Sequence, residues 1–221
     1  MAETWGYLPE GFPNPARGVP KSRTRSRNRY LSEPEASKLL EAVDQDTDPR
    51  FPPLIRLYLL TGARKSELMT LRWSDVDPEA KRIRLRHTKS RRDHWLYLSP
   101  EAWALFEHLA QYREAANPYV WPGRGSGPKS TFRQAWVKAR KAAGLEDIHI
   151  HDLRRTAASW LAQAGTSTVA IQHTLNHSQL SATQIYARMG PENTREPLAI
   201  LGTILRRVEG QEGPQEKEVQ S

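Results

Sequence analysis

Residues 81–98 read KRIRLRHTKSRRDHWLYL, and their period sets them apart from the segments on either side. Ile83 and Leu85 alternate with Arg82, Arg84 and Arg86; after a polar stretch, Trp95, Leu96, Tyr97 and Leu98 follow. Alternation with period two puts one set of side chains on each face of a strand. The stretch therefore predicts a hairpin or small antiparallel sheet with one basic face. Outward in both directions the period lengthens to that of helices. Upstream, Ser32 and Glu35 form a capping-box pattern ahead of apolar Leu39, Leu40 and Val43. Pro52 and Pro53 open a second apolar helix that Gly62 ends, and a short third runs from Lys65 to about Leu71. Downstream, Ser99 and Pro100 start a helix reaching about Tyr112, and residues 117–129 form a Pro/Gly loop. Helices are expected over 130–143, 151–164, 167–175, 180–187 and 193–208. The fold class is mainly α with a small antiparallel β-sheet (α+β).

The 221 residues suit one domain with tails, and 38% hydrophobic content in periodic runs is enough to bury a core. A net charge of +8 and a pI near 9.9 favour a polyanionic partner, with nucleic acid the first expectation. The absence of cysteine excludes a disulfide framework, a thiol nucleophile and a Cys-ligated zinc site. No run approaches the roughly 20 apolar residues of a membrane span. The first residues lack a charged start followed by an apolar stretch, so a soluble, cytoplasmic protein is expected. Residues 1–30, with Pro9, Pro13, Pro15 and Pro20, read as a linker. Its second half carries Arg17, Lys21, Arg23, Arg25, Arg27 and Arg29 with no acid among them, which suits an arm lying along phosphates. Residues 209–221 are polar and net acidic, the composition of a disordered tail.

A set of polar residues gives the chemistry. Arg154 follows His151 by three; His177 lies 26 residues after His151, and Tyr186 nine after that. Upstream, Arg64 stands just after Gly62, and Lys89 follows it by 25 residues. Two guanidiniums bind a phosphate in bidentate fashion and keep their charge as more develops on the non-bridging oxygens. The nucleophile must be a side-chain oxygen, and a phenol with a pKa near 10 is easier to ionise than serine. His173 and His177 stand four apart, but the pattern lacks the glutamate of a zinc-protease motif and no third ligand is evident, so no metal is expected.

In this order and spacing, the set resembles the catalytic half of the tyrosine recombinases, the phage-integrase family. The resemblance spans about Asn28 to Arg207. It implies the tyrosine-recombinase catalytic-domain fold over residues 31–208 and no cofactor. Arg64, Arg154, His151 and His177 would surround the phosphate. Lys89, between the two strand patterns, would be the general acid for the leaving 5′-oxygen; Lys81 and Lys65 are its competitors. Tyr186 would form a 3′-phosphotyrosyl bond whose energy is kept for religation. Glu67 would be a supporting carboxylate that orients the site, while Leu71 and Trp73 would pack the core. Asn176 precedes His177 where the family most often has Gly, a soft change because Asn tolerates left-handed backbone.

The implied function is site-specific recombination of double-stranded DNA by a catalytic-domain fragment. Alternatives sharing parts of the site are DNA relaxation of the type IB topoisomerase kind and a non-catalytic DNA-binding module. Arg23, Arg25, Arg27 and Arg29 of the arm, with Arg84, Arg86 and Arg91 of the hairpin, are the candidate DNA contacts. Family members usually carry a separate helical core-binding domain, and residues 1–30 resemble its end and the following linker. They assemble as homotetramers on two synapsed DNA sites. This chain is expected to be a monomer in free solution, acting at the nucleoid of a bacterium or archaeon or encoded by a phage. The last apolar helix, with Leu198, Ile200, Leu201, Ile204 and Leu205, fits a neighbour's surface or its own core equally well.

Overall fold

The structure, a computed structural model, describes residues 29–86, 93–175 and 194–211. The chain order is α1 (Glu33–Asp44), α2 (Phe51–Thr61), α3 (Lys65–Met69), a 3₁₀ turn (Trp73–Asp75), β1 (Val76–Asp77), β2 (Arg82–Leu85), β3 (His94–Tyr97), α4 (Pro100–Ala110), α5 (Arg133–Ala142), α6 (Ile150–Gln163), α7 (Thr168–Thr174) and α8 (Arg195–Val208). The mainly helical class with one small antiparallel sheet is what the periodicity implies. The helix expected over 180–187 and both tails lie outside the described residues.

Local chemistry starts the helices where the sequence signals them. Ser32 caps α1: its hydroxyl accepts from Glu35 N–H while the Glu35 carboxylate accepts from Ser32 N–H at 2.9 Å. Ser99 and Ser167 cap α4 and α7 in the same way, each accepting from the N–H three residues on. The third helix stops at Met69 rather than near Leu71. There the chain turns out to pair with the 117–120 loop, Leu71 accepting from Val120 N–H and Trp73 donating to Pro118, each at 2.9 Å.

α2 lies at the centre. Phe51, Leu54, Ile55, Leu57, Leu59 and Leu60 are all essentially inaccessible, as expected of a helix apolar all round. α1, α4, α6 and α8 surround it. Each large side chain so buried contributes about 1.5–3 kcal/mol. Its one charged residue, Arg56, pairs with Asp44 at the end of α1 and Glu209 after α8, at 2.7 and 2.6 Å. α8 packs on its own domain, with Leu198, Leu201, Ile204, Leu205 and Val208 buried in the common core. Gly202 allows this approach: a Cβ there would lie 2.1 Å from Glu101 Oε2 on α4.

The sheet order is β1-β2-β3, antiparallel throughout, with Ile83 opposite Leu96 and Leu85 opposite His94. Ile83, Leu85 and Leu96 face the core. On the other face the Arg82 guanidinium lies 4.4 Å from the centre of the Trp95 ring. β1 is two residues long, too short to register as an alternating pattern. None of the described helices is long and apolar enough to cross a membrane.

Candidate active site

The site begins at a turn. Gly62 ends α2 with φ +59°, a left-handed conformation that glycine adopts without penalty. The turn aims the Gly62 carbonyl at α6, where Arg154 donates to it at 2.6 Å. A second guanidinium nitrogen of Arg154 donates to the carbonyl of Leu175, just past α7. Arg154 is thus fixed by two backbone acceptors from separate parts of the chain. It is buried, with 5% exposure.

Two residues after Gly62, Arg64 starts α3. Glu67 holds it at both ends: one carboxylate oxygen accepts from Arg64 N–H at 2.8 Å and the other from the Arg64 guanidinium at 2.7 Å. Glu67 is itself buried. A carboxylate tied to one arginine over several bonds gives that arginine a single orientation.

Positive charge accumulates around one carboxylate. Burial, and then the neighbouring Arg64 charge, push the Arg154 guanidinium down to about 10, with Glu67 partly offsetting them. It stays protonated at neutral pH. His151 sits one turn ahead of Arg154 on α6. Desolvation of its inner edge lowers its pKa although much of the residue is exposed; Arg155, Arg154 and Arg64 add to the effect, and Asp152 opposes it. Asp152 fixes the start of α6 by accepting from His149 N–H at 2.9 Å. Two guanidiniums held by fixed acceptors, with the partly desolvated His151 imidazole beside them, offer preorganised donors of the kind that suits an anion.

Two further imidazoles lie beside this cluster. His94, at the start of β3, meets His173 of α7 edge to face, with ring centres 5.9 Å apart. His94 also donates to the backbone of Thr174. Burial first, and then His173, lower its pKa to about 4, with Arg154 adding and Glu67 opposing. Neither histidine stood out in the sequence as part of the site. The available signal was position: His94 is five residues after Lys89, and His173 four before His177.

The fold thus brings Arg64, Glu67, His151 and Arg154 together. Lys89, His177 and Tyr186 lie outside the described residues, as do Arg23, Arg25, Arg27 and Arg91 of the candidate DNA contacts. Of the other contacts, Arg29 is bound by Glu35 and Asp147 at 2.6 and 2.8 Å. Arg84 and Arg86 both pair with Asp75, whose side chain is 2% exposed. Part of the basic face of the hairpin is therefore neutralised from within, which the alternating pattern does not reveal. An exposed basic row lies instead on α5, where Arg133, Lys138 and Lys141 make no ion pair with a described residue. No group of three His, Asp or Glu among the described residues could hold a metal ion.

Comparison with known proteins agrees with this picture. The profile of the phage integrase family matches residues 29–192. The integrase of Salmonella phage P22 is 28% identical over 204 residues, 84% of this chain and 51% of that protein. Tyrosine recombinase XerC of Xylella fastidiosa is 32% identical over 182 residues, 80% of this chain and 62% of that protein. The crystal structure of XerA recombinase superposes with a TM-score of 0.57 at 26% identity, covering 85% of this chain and 66% of that one. The chain spans between half and two-thirds of the length of these relatives.

Proposed function

This chain belongs to the phage integrase family, and from that premise we propose that it is the catalytic part of a site-specific DNA recombinase. The observation that carries the reading is the convergence of Arg64 and Arg154, 90 residues apart in sequence, on one small site with His151. Two like charges brought together at partial burial cost stability unless an anion is to be bound between them.

Arg64 and Arg154 hold the non-bridging oxygens of the scissile phosphate, and His151 donates a hydrogen bond or exchanges a proton at its edge. His177 adds a further donor. The Tyr186 phenol attacks phosphorus, its proton is lost to solvent or to a histidine, and the P–O5′ bond breaks. Lys89 gives a proton to the departing 5′-oxygen. The phosphotyrosyl ester is then open to attack by another 5′-hydroxyl, so rejoining needs no nucleotide cofactor.

Residues 31–208 form the catalytic unit, 1–30 the basic arm or linker, and 209–221 a tail. The buried cluster running from Leu31 to Val208 supports this division. Double-stranded DNA is the substrate, and the basic arm and the exposed row of α5 are the surfaces that meet its phosphates. The working form is a homotetramer on two synapsed sites, assembled from monomers in the cytoplasm, at the nucleoid.

Covalent trapping tests the reading. The chain and its Tyr186→Phe variant are incubated with a pool of nicked duplexes and denatured in detergent, and attached DNA is sequenced. An adduct formed by the unmodified chain and absent from the variant is expected, and the attached sequences report the preferred site. No adduct from either protein, with binding intact, would favour the binding-module reading.

A further inference from the structure

A groove separates α2 from α5. The latter packs chiefly on α1, and the space left between it and α2, about 440 Å³, is also lined by α3 and the start of α6. From α2 come Phe51, Leu54, Ile55 and Tyr58; from α5 come Arg133, Trp136, Val137 and Arg140. In each helix these are positions i, i+3, i+4 and i+7, a stripe about two turns or roughly 10 Å long. The floor is apolar, with Leu54, Ile55 and Met69 nearly closed to solvent. Val137 and Tyr30 are the large apolar side chains most open to solvent among the described residues, Val137 at 41%.

The charge around this floor has one sign. Lys65, Arg133 and Arg140 line the groove, and no Asp or Glu does. Lys65 and Arg133 make no ion pair with a described residue. Arg140 donates to the carbonyls of Glu146 and Ile148 at 2.7 and 3.0 Å, which fixes it without cancelling its charge. An apolar floor beside unopposed cations is complementary to large apolar side chains flanked by carboxylates. A nucleobase fits less well, because the donors and acceptors of its edge would face Leu54, Ile55 and Met69, which cannot meet them. Two-turn stripes on both walls match a helix laid along the groove.

We propose that the groove between α2 and α5 docks an acidic, amphipathic helical segment of a partner protein. The segment's large apolar side chains cover Trp136 and Val137, and its carboxylates meet Lys65, Arg133 and Arg140. Residues 3–12 of this chain, ETWGYLPEGF, share the acidic and apolar composition, but Gly6, Pro9 and Gly11 break the helical spacing. Arg133 also belongs to the exposed basic row on α5, so a seated partner competes with DNA for it. Docking stands on the groove alone; the competition rests on the recombinase reading above.

The probe is a fluorescein-labelled synthetic helix of about four turns, with Leu and Trp at i, i+3, i+4 and i+7 and Glu and Ala elsewhere. A second peptide has the same residues in scrambled order. By anisotropy with the full chain, the ordered peptide should bind about tenfold tighter than the scrambled one. Val137→Glu, a change at an exposed position, should weaken the ordered peptide by about tenfold. Arg133→Gln, which removes one cation, should weaken it by about threefold. Lys138→Glu, on α5 but outside the groove lining, should change it by about twofold at most at physiological salt. A short duplex should displace the peptide. Equal binding of the two peptides, or equal losses from Val137→Glu and Lys138→Glu, overturns the docking site. Binding that appears only after residues 3–12 are deleted gives the groove to this chain's own segment and overturns the partner. Docking that no duplex displaces overturns the competition. None of these readouts uses cleavage, so the docking site and the Tyr186 adduct stand or fall separately.

Discussion

Arg154 donates to the carbonyl of Gly62 at 2.6 Å across 92 residues of sequence, so one arginine of the candidate site is placed by the turn that precedes the other, Arg64. The turn depends on glycine for two reasons. Its φ is +59°, and a Cβ would lie 2.2 Å from Leu175 Cδ2, on the residue whose carbonyl also holds Arg154. Gly62→Ala should cost about 1–2 kcal/mol from the backbone alone, with an added cost from the clash. It should also slow strand cleavage by about 10²-fold through displacement of Arg154. Thermal unfolding and single-turnover cleavage measure the two effects. In a Leu175→Ala background the clash is relieved and the backbone strain is not, so only part of the stability should return.

Glu67 and Arg64, three residues apart on one turn, form a unit, and the two residues fail differently when changed. Arg64→Lys retains a cation but loses the planar fork, so it should reduce the cleavage rate by about 10²–10³-fold with a smaller change in DNA affinity. Glu67→Gln keeps acceptor geometry at one oxygen and leaves Arg64 charged but loosely oriented, with an expected loss of about tenfold. Rates at saturating DNA, set beside binding measured by anisotropy, separate the two. A Glu67→Gln loss confined to affinity would mean that the carboxylate does not orient the arginine for chemistry.

Asp75 is the counter-ion of the hairpin. It takes both Arg84 and Arg86 while its own side chain is 2% exposed. Asp75→Asn would leave two arginines without this counter-charge, though still with an oxygen to accept, in the strand that leads into the segment carrying Lys89. The arginines are about a third exposed, which lowers the cost well below that of a fully buried pair. About 1–2 kcal/mol of stability should be lost, measured by urea denaturation. Exchange of the β2 and β3 amides with deuterium should quicken more than that of α2. Uniform quickening would place Asp75 in the global core rather than at the hairpin.

How far the sequence could be read follows from which groups do the holding. The starts of α1 and α4 were legible because Ser32 and Ser99 cap with side chains, and side chains are written in the sequence. The strand pair was legible because Ile83, Leu85 and Leu96 alternate in burial. Arg64, Glu67, His151 and Arg154 could be grouped by their spacing and by family resemblance. The acceptors that fix Arg154 are backbone carbonyls of Gly62 and Leu175, and carbonyls leave no mark in residue identity. Asp75 looked like one acid among many until the fold set it under β2. His94 and His173 are far apart in the chain and became neighbours only through tertiary packing. The destination of α8 was undecided for a similar reason: an apolar stripe states that it will be covered, not by what.

The depressed pKa of His94 makes a prediction with a sign. The folded value is about 4, against an ordinary 6.5 for the unfolded chain. Above 6.5 the ring is neutral in both states and titration contributes nothing. As pH falls from 6.5 towards 4, the unfolded chain binds a proton that the folded chain does not, so stability falls across that window and levels off below it. The loss should reach about 2 kcal/mol, discounted for the part of the ring that solvent reaches. His151 shifts in the same direction and adds to the slope. Subtracting the pH dependence of His94→Leu from that of the unmodified chain isolates the His94 share. Glu35 and Asp48, each held near 2 and ordinarily near 4, lose their contributions only at lower pH, so the range from 6.5 to about 4.5 is free of them. Parallel curves over that range would show that the ring is as solvated as a free imidazole.

The last helix distinguishes a closed monomer from an open one. Leu201 is inaccessible within the common core, and Arg56 ties the residue after α8 to α1 through Glu209 and Asp44. A helix that lends its apolar face to a neighbour would leave α2 and α6 bare in the free chain; here they are covered by the chain's own residues. Leu201→Ala should therefore destabilise the isolated chain by about 2–4 kcal/mol, the range for emptying a packed site. Removing residues 194–221 should abolish cooperative unfolding rather than merely weaken DNA binding. Sedimentation at micromolar concentration should give a monomer for the unmodified chain. If Leu201→Ala instead leaves unfolding unchanged and lowers only assembly on DNA, the helix works between protomers, and its place on α2 is a resting position that it leaves when the complex forms.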